Sequence, residues 1–126
     1  MRIKIESAFA QDEPQITFAK GSLTTTQDGF LLEYNEPSDD GLQFVTVELS
    51  DNRAVITRPA ARMVIEKDTP CVCPYKTVAG VFDFEFIGKE IDYKLDDKGG
   101  IVSLSYAIKN GGEIISDATI TITVKE

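Results

Sequence analysis

No histidine and no tryptophan occur in this chain, and cysteine occurs twice. Without histidine, Ser-His-Asp and Cys-His catalytic arrangements are impossible. Cys71 and Cys73 fall short of the four nitrogen or sulfur ligands of a closed zinc site. Two residues apart on a strand, they would share a face as small packing side chains; a strained Cys-x-Cys disulfide or redox pair, and half of a soft-metal site, are the other readings. No metal and no cofactor is expected. Nowhere does the chain approach the ~18 uninterrupted apolar residues of a membrane-spanning helix. Met1–Glu6 alternates apolar and charged residues and lacks the apolar core of a secretory signal. Few cysteines and no signal point to the reducing cytoplasm. Glycine-rich phosphate cradles are missing too, and Gly99-Gly100 and Gly111-Gly112 read as hairpin turns.

Positive charge is also scarce. Thirteen lysines and arginines face twenty-one acids, for a net charge of -8. Binding to phosphate backbones depends on Lys and Arg, so nucleic acid and anionic membranes are poorly matched partners. The acidity serves solubility.

What is present is period-2 patterning, which marks strands with one wet face. Phe30, Leu32 and Tyr34 alternate with Leu31 and Glu33, and Val45, Val47 and Leu49 with Thr46 and Glu48. Phe82, Phe84 and Phe86 alternate with Asp83 and Glu85, and Ile91, Tyr93 and Leu95 with Asp92 and Lys94. Val102 to Ile108 follows the same rule, and Ile114, Ala118, Ile120, Ile122 and Val124 share one parity. Turn residues punctuate these runs at Asp28-Gly29, Asp39-Asp40-Gly41, Asp51-Asn52, Ile87-Gly88-Lys89, Lys98-Gly99-Gly100 and Asn110-Gly111-Gly112. Successive hairpins make a meander, and about eight to ten strands would leave two exposed edges unless the sheet closed. The expectation is a single all-β domain over residues 1–126, a closed antiparallel up-and-down barrel. Pro59, Pro70 and Pro74 predict bulges, corners or an edge between Arg53 and Val78.

No two carboxylates fall on an apolar face, so no catalytic pair stands out. Arg58 and Arg62 are the candidates for an anion site inside the barrel or at its rim, four residues apart in an apolar stretch. The competing reading has both pointing outward. Phe82, Phe84 and Phe86 could line a ligand cavity or fill the core, which is the default for a small barrel. Tyr34 and Tyr106, on the apolar parity of their strands, complete the candidate ligand-binding set.

Several segments together resemble one family. These are Gly29-Phe30-Leu31-Leu32-Glu33-Tyr34-Asn35-Glu36, Val55-Ile56-Thr57-Arg58, Tyr75-Lys76-Thr77-Val78-Ala79-Gly80 and the Asp96–Tyr106 turn-and-strand. From Ile16 to Glu126 the chain resembles the YwiB-like proteins, small bacterial proteins of unknown function. Lys20-Gly21 stands where that family has Thr-Gly after its second strand, and Pro59-Ala60 where it continues Ser-Gly. The resemblance implies a lipocalin-like, calycin-type barrel and no assigned activity; the Gly-x-Trp signature of true lipocalins is absent.

The leading expectation is therefore a cytoplasmic, non-enzymatic binding module for a small apolar or acidic ligand. A cavity above about 300 Å³ would favour it. The alternative is a structural or interaction barrel with a packed interior, whose exposed patch or edge strand meets a partner or forms a homodimer.

Overall fold

The computed structural model describes residues 1–9, 12–39 and 41–126, with backbone alone at 76 and 77. Ten strands follow one another: β1 (Arg2–Phe9), β2 (Gln15–Thr25), β3 (Gly29–Ser38), β4 (Gly41–Ser50), β5 (Arg53–Arg58), β6 (Ala61–Glu66), β7 (Pro70–Thr77), β8 (Gly80–Asp96), β9 (Gly99–Asn110) and β10 (Glu113–Lys125). Each pairs antiparallel with its sequence neighbours, and β1 also pairs with β10, so the meander closes. Asp40, part of an anticipated turn, lies outside the described residues.

The alternation explains the closure. Ile3 and Ile5 on β1, Leu32 and Tyr34 on β3, Val45, Val47 and Leu49 on β4 all face inward. So do Ala54 and Ile56 on β5, Val102, Leu104 and Tyr106 on β9, and Ala118 to Val124 at alternate positions on β10. These side chains form one buried cluster. A sheet with one apolar face buries it by curling, which also removes its edges. Each fully buried Leu, Ile or Val contributes about 1.5–3 kcal/mol.

The meander gives the barrel two unlike ends. The β1–β2, β3–β4, β5–β6, β7–β8 and β9–β10 connections lie at one end, the rim; the other four connections lie at the base. At the base Phe30 and Tyr93 meet edge to face with centroids 5.9 Å apart, and Leu23, Leu95 and Met1 pack against the core. That end is filled.

Two local departures from the sequence expectation have physical causes. Ile87-Gly88-Lys89 is no turn: it is a bulge between Gly88 and Glu90 inside the seventeen-residue β8. The bulge moves the inward set from Phe82, Phe84 and Phe86 to Ile91, Tyr93 and Leu95 without reversing the chain. Gly88 is required there because the β6–β7 corner presses onto it. A Cβ would sit 2.7 Å from the Glu66 carbonyl oxygen, and the Asp68 N–H donates to the Gly88 carbonyl at 2.8 Å. A second bulge, between Ile114 and Ser116, turns Ile114 out beside Lys109, although its sequence parity is that of the core. On β2 the inward positions are Thr17, Ala19, Gly21 and Leu23, while Ile16 and Phe18 point outward, 50% and 71% exposed.

The proline-rich segment divides into a turn and a seam. Pro59-Ala60 is the reversal between β5 and β6, and Pro70 and Pro74 fall within β7. β7 pairs with β8 along its length but with β6 at one position, Ala61 opposite Tyr75. Across this seam the Val64 N–H donates to a sulfur, Cys73 Sγ, at 3.4 Å. Proline supplies no N–H for a ladder, so the wall is thinnest here.

Candidate functional site

The rim is where polar chemistry enters the barrel. On β3 the inward alternation Leu32, Tyr34 continues to Glu36, which is only 9% exposed. Gln43 of β4 stands directly opposite Glu36. On β5 the inward set Ala54, Ile56 ends at Arg58, half-buried at the rim. The three side chains meet on one oxygen: Glu36 Oε1 accepts from Arg58 Nε at 2.8 Å and from Gln43 Nε2 at 2.7 Å. Among the described residues no buried side-chain nitrogen or oxygen lacks a partner.

Burial alone would lower the pKa of Arg58. The Glu36 hydrogen bond and charge, aided by Tyr34 and Tyr75, outweigh it and hold Arg58 above its ordinary value. Burial pushes the Tyr34 phenol up to about 12, with Arg58 opposing and Glu36 reinforcing the shift. Burial does the same to Tyr106, again to about 12 and again against Arg58. Three tyrosines on β3, β7 and β9 thus lie within electrostatic reach of one guanidinium.

An aromatic path leads from there to the surface. Phe86 and Tyr106 meet at 5.9 Å, Tyr75 and Phe84 at 6.0 Å, both edge to face, and Phe82 and Phe84 at 6.4 Å. Exposure rises along β8 from Phe86 at 3% through half-buried Phe84 to Phe82 at 41%. Phe86 belongs to the core, whereas Phe84 and Phe82 line the β7–β8 hairpin as it projects beyond it. Two depressions lie at the mouth, and Arg58 lines the first of them. One, about 230 Å³, is lined by Arg58, Glu36, Tyr34, Ser7 and Thr17. The other, about 190 Å³ and mostly apolar, is lined by Tyr75, Phe84, Phe86, Tyr106 and Met63.

Of the residues singled out in the sequence, Tyr34, Arg58, Tyr106 and Phe84 gather at this mouth, and Phe82 stands at its lip. Arg62 does not join them. It pairs with Thr57 across the Pro59-Ala60 reversal and is exposed on the outer wall. The even spacing that would align the two arginines on an unbroken strand is cancelled by the turn. Glu36, Gln43 and Tyr75 were not anticipated. The signal for Glu36 was its parity, two residues past Tyr34 on an otherwise apolar face. Cys71 and Cys73 are free thiols, and Cys73 is buried. No group of three or more metal-ligating side chains assembles among the described residues.

A closed ten-strand antiparallel meander with one filled end and one tyrosine-lined mouth defines a small β-barrel domain. The family model for "Domain of unknown function (DUF1934)" matches residues 3–122, and the chain belongs to that family, the YwiB-like proteins. Among solved structures it is similar to the crystal structure of ywiB protein from Bacillus subtilis, at 21% identity and a TM-score of 0.85, over 98% of this chain and 89% of that one. This likeness carries the fold. A search of curated proteins found no match.

Proposed function

We propose that this chain is a cytoplasmic, non-enzymatic binding module whose mouth holds a small ligand with an apolar, ring-like body and an acidic end. One observation carries the reading. Glu36 fixes Arg58 through Nε, which leaves the Nη end as donors beside the depression Arg58 lines. Glu36 is then a positioning residue and Arg58 the anchor. The pair is neutral, so magnitudes decide whether an acid is attracted. At an effective dielectric of about 20, a carboxylate about 4 Å from Arg58 gains about 4 kcal/mol, and when it sits on the Nη side, about 8 Å from Glu36, repulsion takes back about 2. The balance favours the acid. The aromatic lobe of Tyr75, Phe84 and Tyr106 receives the ring. Both depressions are smaller than the ~300 Å³ of an ordinary ligand pocket, and the filled base bars a deep-seated chain, so a ligand held by these two is of single-ring size.

The test is a ¹H–¹⁵N NMR titration with phenylacetate as the probe, run on the wild type and on Arg58→Gln. The expected outcome is saturable shifts at Arg58 Nε–H, Tyr75 and Phe84, weakened about tenfold or more in the variant, as for loss of a charge-assisted hydrogen bond. Native mass spectrometry of protein taken directly from cells should carry a small adduct. Absence of rim shifts at any soluble probe concentration refutes the reading.

A second reading rests on the outer wall. Ile16 and Phe18 on β2 and, beyond β3, Leu42 and Phe44 on β4 are 50%, 71%, 73% and 49% exposed, apolar side chains that suit a protein partner or a second copy. Light scattering on the wild type and Phe18→Ser/Leu42→Ser checks it; a wild type that stays monomeric at every concentration and captures no partner speaks against it.

A further inference from the structure

Positive charge is scarce in this chain, yet four of its cations crowd one stretch of outer wall. Arg2 lies directly opposite Lys125 on β10 and directly opposite Lys20 on β2, so three cations stand in register across three adjacent strands. Lys4, in the next outward row of β1, lies between Thr123 and Phe18. Like charges directly opposite one another destabilise a sheet. Among the described residues the side-chain ion pairs are Arg58–Glu36 and Lys89–Asp117, so none of the four is held in a side-chain ion pair. The acids around them are Glu6, two residues beyond Lys4 on the same face, Asp96, across Gly99 from Lys125, and Glu126, the last residue, whose main-chain oxygen accepts from Arg2 Nη2 at 3.3 Å. Beside the cations runs a groove of about 400 Å³, lined by Arg2, Lys4, Lys125, Thr123 and the Phe18 ring.

We propose that this groove is a binding site for a compact oxyanion of the phosphate class, inorganic or carried on a small ester. The phosphate bridges Arg2, Lys4 and Lys125, relieves their mutual repulsion and accepts from the Thr123 hydroxyl; an aromatic ester adds its ring to Phe18. Compactness follows from the net charge of -8. A long polyanion laid along the wall would come within the ~8 Å Debye length of the acidic β8–β9 turn at Asp96 and Asp97. The site is separate from the mouth and independent of the reading given to it.

Thermal unfolding in sodium phosphate, against sodium chloride at matched ionic strength, tests this, because a ligand that binds only the folded state raises the melting temperature. The expected result is a saturable rise in phosphate beyond that in chloride. In Lys4→Gln/Lys125→Gln the half-saturating phosphate concentration rises about fivefold or more, while stability in chloride equals or exceeds that of the wild type. Phenyl phosphate distinguishes the sources. Saturation at lower concentration than inorganic phosphate indicates an ester, and equal saturation indicates the free ion. Equal responses to phosphate and chloride, or a variant with the wild-type phosphate response, overturns the proposal.

Discussion

Raising the pH is the most direct probe of the mouth. Tyr34 and Tyr106 have phenol pKa values near 12 in the folded chain, against an ordinary value of 10.0, because both are buried. A raised folded-state value means that the stability is fully present below the ordinary pKa. It falls as the unfolded phenols ionise and the folded ones do not, and the loss is complete above about 12. Two pKa units are worth about 2.7 kcal/mol for each tyrosine, so about 5 kcal/mol is at stake for the pair. That rivals the whole stability of a marginal domain, about 5–15 kcal/mol. Urea-unfolding midpoints should therefore drop steeply across this window. Tyr34→Phe and Tyr106→Phe should each remove about half of the excess slope. Phenolate absorbance of the native protein should lag behind that of the unfolded chain, and Arg58→Gln should delay it further, since the guanidinium opposes both shifts. Two phenols titrating near their ordinary value in a still-folded protein would refute the reasoning, because water would then reach the floor of the mouth.

Three further outcomes follow from the geometry. Arg58→Ala strands the Glu36 carboxylate with Gln43 alone and should cost about 2 kcal/mol, between the exposed and buried limits for ion pairs; a double-mutant cycle with Glu36→Ala in urea should give a coupling of about 1–2 kcal/mol. Gly88→Ala pushes a methyl group against the Glu66 carbonyl and should cost about 3 kcal/mol by the same measurement, because backbone on both sides must move. Hydrogen exchange should be fastest, among strand amides, along the β6–β7 seam, and slowest on β9, which is laddered along its length on both sides.

The fold was legible wherever inward residues were large. Val45, Val47, Leu49 and Val102 to Ile108 announced both their strands and their faces. It was less legible on β2, whose inward Thr17, Ala19 and Gly21 are small and whose Phe18 points to water. Bulges were invisible as bulges: Gly88 reads as a turn residue because glycine marks reversals and close approaches alike. The mouth was half legible. Tyr34, Arg58 and Tyr106 stood out by residue type and parity. Glu36 shared that parity, but an acid at the end of an apolar run looks like a strand going out into solvent. Only register brings Gln43 and Arg58 onto the same oxygen. Arg62 shows the converse, since counting along the chain cannot see that Pro59-Ala60 folds the strand back.

The unlike ends of the barrel have a consequence for how such a protein can change. Its wall is a stiff heel below and a replaceable lip above. Lengthening the Pro59-Ala60 or Val78-Ala79 reversal would add reach over the opening while every side chain of the heel keeps its neighbours. Loop closure costs only about 0.6 kcal/mol for each doubling of length, less than a single methyl-sized void in the heel would cost. Relatives sharing this wall are thus free to diverge at the lip without relearning how to fold.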